Sequence, residues 1–511
     1  MTNNTSNNNL IAKNTVYLYF RTILIMIVSL YMSRVVLQTL GVEDYGVYNA
    51  VGGVVTMFAV ISGALSNAIS RYITYALGKN DDERLNTIFC TGLNIQIIIS
   101  IAIIILCELI GVWFLNTKMN IPPDRIYAAN WVLQCSLLTF VINLISVPYN
   151  ACIIAHEHMN AYAYISIADA LLKLFVAFLI IIAPYDKLIV YSILLVIVSL
   201  IVRLIYGFYC SQHFKETRYR FVYEKSLFRE MLSFAGWNFF GNTTSVLNTQ
   251  GVNLLINVYF GVIVNSARGI ASQVEAAVNQ FVISFSTAIN PQITKSYAYG
   301  DYQRLFYLVC KGAKYSFFLL LLIALPLLFE ANNILEIWLG SVPDGAALFM
   351  QLTLIGVMVN TLGNSGYIAC MATGNIKKYS IVITIIGSLN FILTWIAYKL
   401  GAPAETTYII YIGVYIVVLI ARLFLMRDLF EFPIKMYIKE VIGRIITPSV
   451  LALVIPYLLR ISIESSFIRV LIVCPSSLLW TAICVYYLGL TKGERIAISS
   501  KIKYFFLKRF R

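Results

Sequence analysis

Residues 41–50 read GVEDYGVYNA and open a segment, 41–85, that recurs at 261–305 with a constant offset of 220. The residue pairs kept at this offset are Gly41-Val42 with Gly261-Val262, Ala68-Ile69 with Ala288-Ile289, Ile73-Thr74 with Ile293-Thr294, and Arg84-Leu85 with Arg304-Leu305. A second echo has an offset of 218 and aligns Tyr149-x-Ala151-Cys152 with Tyr367-x-Ala369-Cys370. Two groups of matches with nearly the same offset indicate a duplicated unit.

The composition is that of a membrane protein. The chain is 59% hydrophobic and 12% charged, and its mean hydropathy is +0.79, whereas soluble domains carry about 25% charged residues. Apolar runs predict an all-α polytopic membrane protein with about 14 transmembrane helices, and no window alternates like a barrel strand. The predicted spans are 14–38, 47–76, 87–115, 126–154, 161–183, 187–210, 231–259, 262–294, 312–332, 345–371, 378–400, 405–426, 441–460 and 467–489.

Lys and Arg residues set the predicted orientation. Most of the 38 basic residues lie in the tails and in alternate loops on one side, which the positive-inside rule identifies as the cytoplasmic side. The opposite loops hold only Lys118, Arg125, Lys187, Lys399, Arg460 and Arg469. We therefore expect both termini in the cytoplasm. The net charge of +14 follows from this topology and from contact with anionic lipid, so binding to nucleic acid is not expected.

The duplication predicts how the spans are grouped. Six spans separate the two copies, so the copies have the same orientation and form two parallel six-helix lobes, followed by two C-terminal helices. The predicted segments are a polar cytoplasmic tail 1–13, an N-lobe 14–210, a basic cytoplasmic linker 211–228, a C-lobe 229–427, spans 13 and 14 in 428–490, and a basic cytoplasmic tail 491–511. In transporters built from such repeats, the substrate site lies between the halves.

Polar and charged residues inside the spans are the candidate functional groups. A charge at the bilayer centre costs about 3 kcal/mol or more, so it normally faces a cavity or a partner. Spans 7 and 8 each carry a stripe of polar residues at helical spacing. The candidate substrate-binding residues are Arg21, Asn238, Asn242, Thr249, Asn253, Arg268, Ser272 and Asn279. The candidates for ion coupling are Asp169, Lys173 and Glu275.

Each candidate also has a structural alternative. The stripe of span 7 either joins helices through hydrogen bonds or lines a water-filled cavity. Asp169 and Lys173, an i, i+4 pair of opposite charge, either neutralise each other or couple transport to a proton or Na⁺. Arg21 and Arg268 either line a cavity for an anionic group, or Arg268 pairs with Glu275 while Arg21 extends towards the cytoplasmic interface.

The residue types favour a phosphorylated and glycosylated solute. A guanidinium stays charged and binds phosphate oxygens through two parallel hydrogen bonds, and Asn and Ser side chains suit sugar hydroxyls. Catalytic and phosphate-loop motifs are absent from the sequence. His156-Glu157-His158 is predicted to be a solvated cytoplasmic turn, and the nine cysteines are scattered. We therefore expect neither an enzyme nor a cofactor or metal site.

The stretch Leu30-Tyr31-x-x-Arg34-x-x-Leu37, followed by LGVEDYGVY at 40–48, resembles the opening of bacterial polysaccharide exporters of the Wzx O-antigen flippase type. These exporters belong to the multidrug/oligosaccharidyl-lipid/polysaccharide (MOP) superfamily. The similarity in span number, in two MATE-like lobes and in the basic C-terminus covers essentially the whole chain. The resemblance implies a flippase of the bacterial cytoplasmic membrane that serves surface polysaccharide synthesis (O-antigen, capsule or exopolysaccharide), beside a polymerase.

The resemblance also implies a mechanism. Undecaprenyl-diphosphate-linked oligosaccharide units would move from the cytoplasmic to the outer leaflet by alternating access. By position, Arg21 and Arg268 match arginines on spans 1 and 8 that are considered substrate contacts in the related peptidoglycan-precursor flippase. Two other classes remain. A MATE-like small-solute or multidrug cation antiporter would favour an acidic cavity, and a membrane glycosyltransferase, polymerase or ligase would need a catalytic domain outside the membrane.

Overall fold

The computed structural model of the chain describes residues 2–56, 82–156, 158–222, 224–231, 244–373, 377–464 and 466–496, with single positions between 58 and 77. Most of these residues are helical and none of them is in a β-strand, which confirms the predicted all-α class. The α-helices are α1 (Thr2–Thr56), α2 (Asp82–Leu106), α3 (Val112–Thr117), α4 (Ile126–Ala155), α5 (Met159–Leu179), α6 (Lys187–His213), α7 (Val252–Ala298), α8 (Tyr302–Phe329), α9 (Ala331–Leu339), α10 (Ala346–Thr361), α11 (Asn364–Ala372), α12 (Lys377–Lys399), α13 (Thr406–Phe430), α14 (Ile434–Tyr437), α15 (Gly443–Ala452), α16 (Val454–Ser462) and α17 (Phe467–Cys484). Short π-helical turns are Cys107–Gly111, Leu247–Gly251, Ile438–Ile442 and Val485–Gly489, and 3₁₀ turns are Pro123–Arg125 and Lys215–Thr217.

Twelve helical segments within the described residues are long and apolar enough to cross a membrane. Ten of them correspond to one predicted span each. The other two, Arg21–Thr56 and Thr244–Ile283, each overlap two predicted spans. The polytopic helical architecture is therefore confirmed, whereas the count of 14 spans stays a prediction.

Gly41 and Gly261 lie at the predicted breaks within these two long segments. Their backbone angles nearly coincide, with φ 81° and ψ 170° at Gly41 and φ 80° and ψ −172° at Gly261. This region of the φ/ψ map is essentially open only to glycine, because a Cβ would strain the backbone. The first residue of the sequence repeat therefore has the same special conformation in both copies.

The chain divides into two compact units, Met1–Gly269 and Ile270–Arg511. In the first unit α6 packs along α4, and α5 packs along α1. An apolar cluster of the first unit includes the fully buried Val47 and Val51 of α1 and Leu133 of α4. In the second unit α12 packs along α13, and α8 packs along α17.

Three loops that the sequence predicts on the outer side meet at Arg125, in the first unit. Its guanidinium donates to Asp44 at 2.6 Å (Nε to Oδ1) and to Asp186 at 2.7 Å (Nη1 to Oδ2). The Asp186 carboxylate also caps α6 by accepting the amides of Leu188 and Ile189. Burial raises the pKa of Asp186, but the hydrogen bonds from Arg125 and the two amides lower that pKa by more, to below its usual 3.8. The two ion pairs hold these loops together at one end of the unit.

Two ion pairs of the second unit link α8 and the residue after it to α17 and the segment that follows α17. In α8, the Lys314 ammonium donates to both carboxylate oxygens of Glu494 at 2.8 and 2.9 Å. Just after α8 ends, Glu330 pairs with Arg469 at 3.0 Å. Because Arg469 lies at the beginning of α17 and Glu494 lies beyond its end, the two helices run antiparallel.

Candidate functional site

A polar cavity of about 530 Å³ lies within the first unit, between α1, α4, α5 and α6. Its volume is within the range of roughly 300–1,000 Å³ that is typical of small-molecule sites. The polar and charged lining residues are Arg21, Ser29, Asn143, Ser146, Asn150, Ser166, Asp169, Lys173 and Tyr206. The apolar lining residues are Ile25, Val28, Met32, Val147, Ala170 and Val202. The cavity therefore brings three of the predicted site residues together, namely Arg21, Asp169 and Lys173.

Arg21 makes no ion pair among the residues that the structure describes. Its Nη2 donates to the Tyr162 hydroxyl at 3.3 Å, and its Cζ lies 4.4 Å from the centroid of the Tyr162 ring. Its Nε is buried and has no hydrogen-bond partner among the described residues. A buried donor without an acceptor costs roughly 1–3 kcal/mol, so the protein holds Arg21 beside the cavity at an energetic cost.

Asp169 and Lys173 form the ion pair that their spacing on α5 predicts. Lys173 Nζ donates to Asp169 Oδ2 at 2.8 Å, and the two side chains are 36% and 30% exposed. The pair neutralises itself, so the charges that line the cavity sum to +1, which is the charge of Arg21.

The polar residues that α4 contributes to the cavity were not predicted. Asn143, Ser146 and Asn150 follow one another at intervals of three and four residues. The same helical period that singled out spans 7 and 8 would have identified them. The Asn150 Oδ1 atom is buried and has no hydrogen-bond partner within the part of the chain that the structure describes.

Arg268 is not part of the cavity lining and instead contacts the π-helical turn Leu247–Gly251. Its Nη2 donates to the carbonyl oxygens of Asn248 at 3.2 Å and of Thr249 at 3.1 Å. A π turn disturbs the regular pattern of α-helical hydrogen bonds, and Arg268 supplies a donor to two carbonyl groups there. The Thr249 side chain is exposed, and its hydroxyl donates to the Ser245 carbonyl at 2.8 Å.

Asn253 is buried between helices of the first unit. Its Nδ2 donates to the Asn49 carbonyl at 3.1 Å, and its Oδ1 accepts from Asn265 at 3.2 Å. Gly53 is so close that a Cβ at that position would lie 2.6 Å from the Asn253 Nδ2. These hydrogen bonds join neighbouring helices, which is the structural role given above as the alternative to lining a cavity.

The other predicted site residues are not among those that line the cavity. Ser272, Glu275 and Asn279 lie on the part of α7 that belongs to the second unit. Ser272 is exposed, whereas Glu275 and Asn279 are half-buried. Glu275 is in electrostatic contact with Tyr411 of α13. Asn238 and Asn242 lie outside the described residues.

The three histidines of the chain lie together, with His156 and His158 in the partly exposed turn between α4 and α5. His156 Nε2 lies 2.5 Å from Glu216 Oε1, and the His156 ring stacks on Phe214. His158 Nδ1 lies 2.8 Å from the Tyr209 hydroxyl. Burial and the two neighbouring histidines lower the pKa of His158. Among the described residues, no group of three or more His, Cys, Asp or Glu side chains is arranged to hold a metal ion.

The histidine cluster adjoins a chain segment that is bound to α2. Asn86 Nδ2 donates to the carbonyl oxygens of Glu216 and Arg218, each at 2.8 Å. Asn94 Nδ2 donates to the Val222 carbonyl at 3.0 Å. Residues 214–222, in the predicted linker, are thus held against α2 by hydrogen bonds from asparagine side chains to backbone carbonyl groups.

Residues 11–297 match the family of proteins described as polysaccharide biosynthesis protein. This match covers more than half of the chain. The chain is also 22% identical, over 392 residues, to the uncharacterized membrane protein EpsK of Bacillus subtilis (strain 168), and the match covers 75% of each protein.

Solved structures of low sequence identity share the fold. The lipid II flippase MurJ, in its inward closed conformation, matches with a TM-score of 0.68 and 18% identity over 93% of this chain and 98% of that chain. An inward-facing multidrug resistance MATE family transporter of the MOP superfamily matches with a TM-score of 0.63 and 13% identity, over 78% of this chain and 94% of that chain. A MOP superfamily transporter from Pyrococcus furiosus Vc1 matches with a TM-score of 0.58 and 14% identity, over 81% of this chain and 95% of that chain. These likenesses confirm the predicted MATE-like fold.

Proposed function

Because the chain belongs to the family of polysaccharide biosynthesis proteins, we propose that it is a flippase for lipid-linked oligosaccharides. It translocates undecaprenyl-diphosphate-linked oligosaccharide units across the bacterial cytoplasmic membrane by alternating access. The translocated units serve the synthesis of a surface polysaccharide (O-antigen, capsule or exopolysaccharide), and the flippase works beside the corresponding polymerase. A fold shared with a protein named lipid II flippase supports this proposal.

The observation that carries the proposal is the uncompensated guanidinium of Arg21 in a polar cavity between membrane-spanning helices. A charge inside the hydrocarbon region costs about 3 kcal/mol or more. Charged residues in membrane-spanning helices therefore normally bind a partner or a substrate. The diphosphate and any acidic groups of a lipid-linked glycan are anions. The hydroxyl groups of its sugars match the Asn and Ser side chains around Arg21.

Each polar group has a role in this mechanism. Arg21 binds an anionic group of the substrate through charge-assisted hydrogen bonds, which contribute roughly 1.5–3 kcal/mol each. Asn143 and Asn150 bind sugar hydroxyls, and Arg268 is the second proposed contact for an anion. The prenyl tail stays in the lipid, so only the polar part of the substrate passes through the protein.

Asp169 is the proposed site of ion coupling. A proton taken up by Asp169 breaks its ion pair with Lys173 and gives the cavity a second positive charge, which strengthens anion binding. Release of the proton restores the ion pair and weakens anion binding. A proton gradient can therefore drive substrate binding and release. Glu275 is the second proposed residue for ion coupling, and Na⁺ is the other proposed coupling ion.

A small-solute or multidrug cation antiporter is the alternative, and the fold shared with a MATE family transporter favours it. A cation site requires a cavity of negative charge, whereas the charges that line this cavity sum to +1. The related proteins of known structure are named as transporters, and we propose no catalytic role for this chain.

Transport by the purified protein in liposomes tests the proposal. The cargo is a fluorescent undecaprenyl-diphosphate oligosaccharide, and its accessibility in each leaflet is followed under proton and Na⁺ gradients. We expect translocation by the wild type and its loss in Arg21→Ala and in the Arg21→Ala/Arg268→Ala double variant. Arg34→Ala removes an arginine of the same helix that does not line the cavity, and it should keep activity. Failure of the wild type under every gradient, together with uptake of a cationic dye, would favour the antiporter.

A further inference from the structure

We propose that the cavity of the first unit selects a sugar that carries one carboxylate, so that the transported glycan contains an acidic sugar. This inference rests on the proposed function for the identity of the cargo, whereas the binding of the acidic sugar can be tested without transport. Three features of the cavity carry it, namely the net charge, the polar lining residues and the volume.

The net charge of the cavity favours a ligand with a single negative charge. Lys173 and Asp169 neutralise each other at 2.8 Å, and Arg21 adds one positive charge that has no acidic partner among the described residues. Electrostatic interactions between membrane-spanning helices are screened less than in water. A neutral sugar would leave the guanidinium uncompensated, and a cationic sugar would be repelled by it.

The polar residues of the lining define the hydrogen bonds that the ligand has to make. Arg21 brings a guanidinium, and Asn143 and Asn150 of α4 bring side-chain amides. A guanidinium only donates, whereas an amide both donates and accepts. A ligand that carries both an anionic oxygen and hydroxyl groups can pair with both kinds of group, whereas a halide or an alkyl carboxylate pairs only with donors.

The charge of the ligand favours a carboxylate over a phosphate monoester. A phosphate monoester carries about −1.5 to −2 charges at neutral pH, which is more than a cavity of charge +1 neutralises. The excess negative charge would meet the carboxylate of Asp169 in the same cavity. A sugar carboxylate carries one charge and matches Arg21 alone.

The volume limits how much of the glycan the cavity holds. About 530 Å³ is the volume of a site for one small molecule, so the cavity accepts a sugar unit rather than a whole oligosaccharide. Asp169 is then a specificity-determining residue, since in its ionised form, before the transport cycle delivers a proton, its charge keeps the sum at +1. Asp169→Asn frees Lys173, raises the sum to +2 and favours a doubly charged ligand.

Binding of free sugars to the purified full-length protein in lipid nanodiscs tests this inference. The probes are D-glucuronate, D-glucose and α-D-glucose 1-phosphate, and saturation-transfer NMR measures their dissociation constants. We expect glucuronate to bind about tenfold or more tightly than glucose, because hydrogen bonds to charged groups are stronger than neutral ones. Arg21→Gln should abolish this preference, and Asp169→Asn should reverse the order of glucuronate and glucose 1-phosphate. Arg34→Gln should keep the wild-type order.

The possible outcomes separate this inference from the proposed function. Equal affinity for glucuronate and glucose, no saturation transfer to any probe, or a glucuronate preference that survives Arg21→Gln would overturn the inference. If Arg21→Gln does not fold, the reversal in Asp169→Asn decides. Translocation of a lipid-linked glycan by a protein that does not bind glucuronate refutes only the acidic-sugar site. Glucuronate binding without any translocation refutes only the flippase.

Discussion

Glu494→Gln should lower the free energy of unfolding by about 3 kcal/mol, because it leaves the Lys314 ammonium buried without a negative partner. The two side chains are 5% and 3% exposed, and the ammonium donates to both carboxylate oxygens at 2.8 and 2.9 Å. Removal of one member of such a pair typically costs roughly 3–5 kcal/mol, since the remaining charge is no longer compensated.

The pKa of Glu494 gives a similar magnitude. Burial raises this pKa, but hydrogen bonds from Lys314, from the Thr491 amide and from Tyr315 lower it by more, from the usual 4.5 to about 2. At about 1.4 kcal/mol per pH unit, the lower pKa corresponds to roughly 3 kcal/mol. Because the folded pKa lies below the unfolded value, this stability is present above about pH 4.5 and is lost as the pH falls towards 2.

Reversible unfolding in mixed micelles, followed by tryptophan fluorescence, measures these effects. Lys314→Met should cost as much as Glu494→Gln, whereas the Lys314→Met/Glu494→Leu double variant should stay within about 1 kcal/mol of the wild type, because no buried charge remains. Lys378→Ala is the control, since it breaks an exposed pair with Asp428 (64% and 45% exposed) and should cost less than about 1 kcal/mol. A loss below about 1 kcal/mol in Glu494→Gln, or a double variant that loses as much stability as the two single variants together, would contradict this prediction.

Gly41→Ala and Gly261→Ala should each destabilise the protein by about 1–3 kcal/mol, because their backbone conformation is essentially restricted to glycine. Gly52→Ala is the matched control, since a Cβ there meets no heavy atom within 4 Å; an equal drop in the thermal midpoint of all three variants would contradict the prediction. Acidification should loosen residues 214–222, because the pKa of His158 is lower in the folded protein. The stability that neutral His158 provides is lost as the pH falls below the unfolded value of about 6.5. Hydrogen exchange of residues 214–222, corrected for the intrinsic rate, should show this loss in the wild type and not in His158→Gln. Protection of these residues in the wild type that does not change with pH would contradict the prediction.

Local signals in the sequence were sufficient to predict the helices and their breaks. Hydropathy identified apolar runs that match the twelve membrane-spanning segments of the described residues. The repeat placed a glycine at the same position of each copy, and both Gly41 and Gly261 have a positive φ. The ion pair of Asp169 with Lys173 could also be predicted, because a spacing of four residues brings two side chains together on any α-helix.

Contacts between helices could not be predicted in this way. Arg21 and Asp169 are 148 residues apart in the sequence, and only the packing of α5 along α1 brings both into one cavity. His156 and Glu216 are likewise separated by 60 residues. Helical spacing shows that a residue lies on a polar face, but it does not show which helix covers that face. Net charge in a cavity therefore depends on tertiary packing, and the sum of +1 emerges only when α1 and α5 are considered together.

The polar stripe of span 7 shows a second limit, which is geometric. Thr249 and Asn253 are four residues apart, so a regular α-helix would place both on one face. The π-helical turn Leu247–Gly251 changes the number of residues per turn between them, and the structure leaves Thr249 exposed while it buries Asn253 against Asn49. Arg268 then binds carbonyl groups of the π turn. In α4, by contrast, no π turn intervenes, and Asn143, Ser146 and Asn150 all line the cavity.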